Sequence, residues 1–269
     1  MIEQLHPLKG SNIRFAVFDF DGTLSLIREG WQQIMIPMMV EILQAAGTDE
    51  SQAALTELVR LFVTDLTGKQ TIYQMIRLAE EVEQRGGQAE DPLVYKNMYH
   101  ERLMQQISHR LDGLRRGEIA LVDYVVPGSF EILKLMQTHG VRCYLASGTD
   151  EKYVLDEAAL LGMNGYFEKL YGAQDDYKNF SKRKVIQHII TENNLHGDEV
   201  VAFGDGYVEI EEMKAVGGLA VGLATNEATR SGIDEWKRSR LIAAGADVIL
   251  PDFTEWAALE PLLFGNRED

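Results

Sequence analysis

The sequence predicts an α/β fold: a parallel sheet covered by helices on both faces, interrupted after its first strand by an all-helical insert. Three observations carry this expectation. From about Val125 onward, short apolar runs alternate with amphipathic helical segments, the order of a parallel sheet built from strand–helix–strand units. Residues 13–18, Ile-Arg-Phe-Ala-Val-Phe, have the length and β-rich character of a buried strand that can join that sheet. Between about Trp31 and Leu114, apolar residues recur at helical spacing and nothing reads as a strand.

The first strand runs into Asp19-Phe20-Asp21-Gly22-Thr23-Leu24. Carboxylates at i and i+2 leave an extended chain on one face, so both can enter one small volume. Like charges held that close raise each other's pKa unless a cation or a shared proton relieves them. Gly22 permits a turn that a Cβ resists, and Thr23 adds a hydroxyl. A plain solvated turn also uses Asp-Gly; the acid two residues earlier and the Thr that follows set this one apart.

Four apolar stripes make up the insert. Trp31, Ile34, Met35, Met38, Met39, Ile42 and Leu43 form the first, with Pro37 expected to kink or split it. Leu55, Leu58, Val59, Phe62 and Leu66 form the second, ended by Thr67-Gly68; Ile72, Met75, Ile76, Ala79 and Val82 form the third, ended by Gly86-Gly87. Tyr95, Met98, Tyr99, Leu103 and Ile107 form the fourth. Such stripes are the seams of a helical bundle. The domain reading is therefore a core of residues 1–24 and 121–269 with a helical domain of 25–120, a size usual for a domain.

Beyond the insert, Ser129 is expected to cap a helix through Met136, followed by a strand over 141–146 and a helix over 153–161. A short strand near 167–170 and a helix over 182–193 come next. Strands at 200–203, 220–222 and 248–250 then alternate with helices at 211–216 and about 236–244, and a last helix closes the chain.

Ligands of such a sheet bind beyond the carboxyl ends of its strands. The strand over 141–146 ends in Ser147-Gly148-Thr149, a hydroxyl and free backbone N–H groups suited to phosphate oxygens, although Thr149 or Asp150 can equally cap the next helix. The strand over 200–203 ends in Gly204-Asp205-Gly206-Tyr207-Val208-Glu209, an acid between glycines with a second acid four residues on, which suits a hard cation. Glu211 and Glu212 follow as helix-start acids. Lys182 follows the potential N-cap Ser181 at the head of a helix, and Lys178 lies in the preceding loop.

Taken together these segments resemble the haloacid dehalogenase superfamily, mostly phosphatases, with four motif-like stretches in order across the whole core. The resemblance implies a Rossmann-like core and a helical cap, as in the phosphoglycolate phosphatase and β-phosphoglucomutase branch. It assigns Asp19 as nucleophile, Asp21 as general acid/base, Ser147 as the hydroxyl on the transferring phosphoryl group and Lys182 as the neutralising lysine; it disfavours Lys178, which lacks the Pro that often follows this lysine, but keeps it as the alternative. Gly22, Thr23, Gly148, Ser147 and Lys182 would surround the phosphate. Mg²⁺ would be held by Asp19, the Asp21 backbone carbonyl, Asp205 and Glu209, the last a methylene longer than the commoner Asp. The acid at position 21 fits a phosphatase rather than a dehalogenase, because an alkoxide needs a proton. A phosphomutase on the same core and a non-catalytic phosphate-sensing protein are the alternatives. Between Ser147 and Lys182 there is room for a helix, a short strand and a loop, but no second large cap.

Composition bounds the partners. The chain has 269 residues and a formal net charge of −16, which argues against nucleic acid or an anionic membrane surface but permits a small phosphorylated metabolite. Its single cysteine, Cys143, cannot form an intrachain disulfide and reads as a small core residue. With no signal-peptide pattern and no apolar run near the roughly 18 residues of a membrane span, a cytoplasmic location is expected. The six histidines, His6, His100, His109, His139, His188 and His196, show no metal-ligand spacing and read as structural or surface residues. Arg28 and the Gly68-Lys69-Gln70 turn are candidate substrate contacts, read by default as surface residues and kept outside the catalytic set.

Overall fold

The computed structural model describes residues 2–8, 12–174 and 181–265. Its strands are β1 (Glu3–Gln4), β2 (Phe15–Phe18), β3 (Arg142–Asp150), β4 (Phe167–Ala173), β5 (Val200–Gly204), β6 (Leu219–Leu223) and β7 (Val248–Leu250). They form one sheet in the order β1-β7-β6-β5-β2-β3-β4. The pairings from β7 through to β4 are parallel, and β1 adds an antiparallel edge on β7. This is the α/β, Rossmann-like sheet that the alternation of elements predicts. Its unforeseen member is β1, whose two residues carry no apolar pattern and join through backbone pairing with β7 and an ion pair between Glu3 and Arg238.

Among the described residues, ten α-helices complete the fold. α1 (Gln32–Ala45), α2 (Gln52–Asp65), α3 (Thr71–Gln84) and α4 (Pro92–Arg116) lie between β2 and β3 in the chain; α5 (Ser129–Thr138) precedes β3. α6 (Glu151–Leu160), α7 (Lys182–Asn193), α8 (Tyr207–Ala215), α9 (Glu235–Ala243) and α10 (Trp256–Phe264) alternate with or follow the later strands.

Alternation along β2 divides the core into two layers. Ala16 and Phe18 face a large apolar cluster with Ile132, Leu133, Val154, Ala158, Leu259 and the buried residues of α1–α4. Phe15 and Val17 face the opposite cluster with Val185, Ile186, Ile210, Met213 and Leu241 from α7, α8 and α9. Phe18 stacks on Phe203 of β5 with centroids 4.5 Å apart, and Phe203 meets Phe253 edge-on at 5.9 Å. Cys143 is buried in the first cluster. Among the described residues, no helix is long and apolar enough to cross a membrane.

Three local expectations change. α1 runs unbroken through Pro37: the ring removes one bond near the helix start, while Met35, Met38, Met39, Val40 and Leu43 stay buried on one side. Ser129 is the first residue of α5 rather than its cap, and its hydroxyl donates to Val126 O at 2.7 Å. The cap position is Gly128 at φ 80°, where a Cβ would fall 2.3 Å from the Phe253 backbone. α8 starts at Tyr207, four residues before the expected Glu211, because the Gly206 N–H donates back to Glu209 Oε1 at 3.0 Å and closes the first turn.

α4 is tied to the sheet through buried polar contacts. Lys96 Nζ pairs with Asp150 Oδ1 at 2.6 Å, and the His100 ring stacks on Tyr153 of α6 at 5.0 Å. Burial, reinforced by Arg28, Lys96 and Lys152, drives the His100 imidazole down to about 3, although Asp150 Oδ2 lies 3.6 Å away. The unfolded chain keeps a histidine near ~6.5. Between these values the unfolded state binds a proton that the folded state refuses, so stability present above pH ~6.5 is lost as pH falls through the window. Urea-unfolding free energies at pH 7 and pH 5 should therefore differ by about 2 kcal/mol less in His100→Gln than in the wild type.

Candidate active site

The carboxyl ends of β2, β3 and β5 lie side by side, because β2 is flanked by both partners and the chain changes direction across it. The Asp19 N–H donates to Phe203 O at 2.9 Å, which extends the β2–β5 pairing by one residue and fixes Asp19 at the strand end. The chain then turns sharply: the N–H groups of Thr23, Leu24 and Ser25 all converge on Phe20 O, and Gly22 sits at φ 77°. A Cβ at Gly22 would lie 2.2 Å from Asp205 Oδ2, so only glycine allows the turn and the β5 acid to share this space.

Lys182 stands at the centre. Ser181 Oγ accepts the Lys184 N–H at 3.2 Å and caps α7, which points Lys182, its first residue, into the site. The Lys182 ammonium lies 2.9 Å from Asp19 Oδ1 and 3.0 Å from Glu209 Oε2. Burial alone would lower this lysine; Asp19 and then Glu209 overcome it and raise it, so it stays charged. The rival Lys178 lies outside the described residues.

Asp19, Asp205 and Glu209 each offer one oxygen, and these oxygens lie within 4.8 Å of one another. Burial pushes the Asp19 carboxyl up, Lys182 pulls it down, and Glu209 and Asp205 push it up again, leaving it well above the ordinary carboxylate value. Burial likewise pushes Asp205 up to about 6 against the pull of Lys237, with Glu227 and Glu209 adding to the rise. Close buried acids in this state favour a shared cation. Burial raises Glu209, but Lys182 and the hydrogen bonds from Asp19 and the backbone together outweigh it and leave the carboxyl lowered. Both of its oxygens already serve the chain, one on Lys182 and one on the Gly206 N–H.

Asp21 points elsewhere. Its Oδ2 accepts from Thr149 Oγ1 at 2.8 Å and Ser147 Oγ at 3.4 Å, while Oδ1 is buried without a hydrogen bond, 3.8 Å from Arg28 Nε. The Thr149 contact exists because β3 continues to Asp150 instead of stopping at Ala146. Thr149 therefore belongs to a strand end and not to a helix cap. Asp150, the residue at that cap, makes no side-chain cap bond. Arg28 is buried, 5% exposed, and not the surface residue expected; its guanidinium grips Glu157 through three hydrogen bonds of 2.7–3.1 Å.

Above these residues lies a cavity of about 110 Å³. Asp19, Asp21, Gly22, Ser147, Gly148, Thr149, Lys182 and Asp205 line its floor. Trp31, Met35, Thr67, Gly68, Lys69, Gln74 and Tyr99 from the helical segment line its roof. The turn between α2 and α3 presses close: a Cβ on Gly148 would lie 3.0 Å from Lys69 O, and one on Gly68 3.3 Å from the Gly206 Cα. Thr23 does not line the cavity; it is buried with its hydroxyl unpartnered. Glu227, a lining residue from the segment after β6, was not legible in the sequence because it belongs to no strand end. The site thus offers a buried carboxylate on an ammonium, acids able to hold a cation, and a second acid on two hydroxyls.

Comparison with known proteins agrees. The model of the haloacid dehalogenase-like hydrolases matches residues 13–217. A predicted phosphoglycolate phosphatase from Haemophilus somnus 129pt superposes with a TM-score of 0.61 at 15% identity, covering 93% of this chain and 99% of that one. A predicted phosphatase from Clostridium acetobutylicum gives 0.59 at 16%, covering 92% and 98%. CbbY from Rhodobacter sphaeroides gives 0.54 at 18%, covering 90% and 96%. These likenesses establish the fold. A sequence search of curated proteins returns no match.

The Arg28–Glu157 pair carries a prediction of its own. Glu157→Ala should leave a buried guanidinium without its principal partner and cost about 3–5 kcal/mol, read as a lower urea midpoint at unchanged slope.

Proposed function

The chain belongs to the haloacid dehalogenase-like hydrolases, and from that premise we propose that it is a Mg²⁺-dependent phosphatase of a small phosphomonoester, acting through an aspartyl-phosphate on Asp19. The observation that carries the reading is Asp19 at the cavity floor, 2.9 Å from the Lys182 ammonium, with Asp21 hydrogen-bonded separately two residues on. Asp19 Oδ attacks phosphorus, a new O–P bond forms, and the ester O–P bond breaks. Asp21 delivers a proton to the departing alkoxide, then removes one from the water that hydrolyses the aspartyl-phosphate. Thr149 and Ser147 hold the Asp21 carboxyl in place between these steps. Lys182 balances the charge of the nucleophile and, with Ser147 and the Gly148 backbone, meets the phosphate oxygens.

The donor set fits Mg²⁺: three oxygen ligands of Asp19, Asp205 and Glu209 within 4.8 Å, in a region where burial already disfavours their combined charge. When bound, the ion supplies positive charge that neutralises the phosphate and the acids around it. Residues 25–120 act in this reading as a cap over a core of 1–24 and 121–269, shutting water out through the turn over Gly148 and Gly206. CbbY has been solved with phosphate and with xylulose-(1,5)bisphosphate, which supports a small phosphorylated metabolite here.

Asp19→Asn should lower Mg²⁺-dependent release of inorganic phosphate from a phosphomonoester panel at least about a thousandfold. Near-wild-type turnover would remove Asp19 as nucleophile. Isomer instead of phosphate from a hexose 1-phosphate would make the protein a mutase, and no turnover by the wild type across the panel would favour a non-catalytic role.

A further inference from the structure

One buried ion pair beside the cavity is left unused by the mechanism. Lys237 projects from α9, 9% exposed, and donates to Asp205 Oδ2 at 2.7 Å and Glu227 Oε1 at 2.6 Å. Its backbone is pinned, because Asp234 Oδ1 accepts the N–H groups of Trp236 and Lys237 at 2.9 and 3.0 Å. Burial alone would lower this ammonium; Asp205 and Glu227 overcome that and raise it, so the lysine stays charged. The two bridged oxygens also press on the turn carrying the first acids, at 2.2 and 3.1 Å from where a Gly22 Cβ would stand. This is part of the wall of the site, unlike the solvated ion pairs of the surface.

Each ammonium at the site occupies two carboxylates: Lys182 holds Asp19 and Glu209, and Lys237 holds Asp205 and Glu227. Without Lys237, Glu227, already lining the cavity, would be free to turn onto the cation. Calcium gathers more carboxylate oxygens in a looser shell, whereas magnesium keeps several waters and few carboxylates.

We propose that Lys237 is a positioning residue that selects the metal: by occupying Glu227 and one oxygen of Asp205, it keeps Glu227 out of the coordination shell and tunes the site to Mg²⁺ over Ca²⁺. This rests on the metal reading given above. Isothermal titration of the full chain with MgCl₂ and with CaCl₂ tests it. Lys237→Met should shift the Mg²⁺/Ca²⁺ affinity ratio toward Ca²⁺ by about tenfold or more. Lys237→Met/Glu227→Gln, which removes the freed carboxylate, should return the ratio to that of the wild type. A variant too unstable to titrate reports the same preference as a larger Tm gain in Ca²⁺ than in Mg²⁺. An unchanged ratio in Lys237→Met, or a shift that persists in the double variant, overturns the role of Lys237 and leaves the metal reading standing. A wild type that binds neither ion overturns both.

Discussion

The contact of the Lys182 ammonium with Asp19 and Glu209 is the constraint around which the site is arranged. Three elements meet at that one nitrogen: the end of β2, the first turn of α7 and the first turn of α8. Each is placed by something local. The β2–β5 pairing extends to Asp19, Ser181 caps α7, and the Gly206 N–H closes onto Glu209. Burying an ammonium between two carboxylates is costly unless the geometry is close on both sides. Here both distances are about those of a charge-assisted hydrogen bond. The sheet supplies the rigidity this needs, since Phe18 and Phe203 stack directly beneath the two strand ends.

Separation of the two acids of the first motif follows from the same geometry. Asp19 is claimed by the lysine, while Asp21 reaches across to the end of β3, where Thr149 and Ser147 donate to it. Arg28 adds positive charge near Asp21 but is itself saturated by Glu157, so it supports the wall of the site more than it offers a free cation. The helical segment contributes the roof, and its close approach at Gly148 and Gly206 leaves little room for side chains at those positions.

Much of this was legible from the chain. Asp19, Asp21, Ser147, Lys182 and Asp205 all sit at strand ends or helix starts, and such positions can be read from apolar runs and capping residues. The contacts that escaped notice share a different property: their partners are distant in sequence. Thr149 meets Asp21 across 128 positions, Arg28 meets Glu157 across 129, and Lys237 meets Asp205 across 32. Nothing in the local pattern around Lys237 or Glu227 distinguishes them from ordinary surface charges. Boundary errors have the same origin. β3 overran its expected end because pairing with β4 resumes at Asp150 after an irregularity, and α8 began early because Glu209 closed its own turn.

Sequence alone determined the alternation of strands and helices, the helical insert after the first strand and the pair of acids at its end, because hydrophobic period and turn chemistry are local properties. Only the tertiary structure decided that Lys182 meets both Asp19 and Glu209, that Asp21 rests on Thr149, and that a second lysine bridges Asp205 to Glu227. Those choices depend on which side chains are buried together, and burial is what turns an ordinary charge into a committed partner.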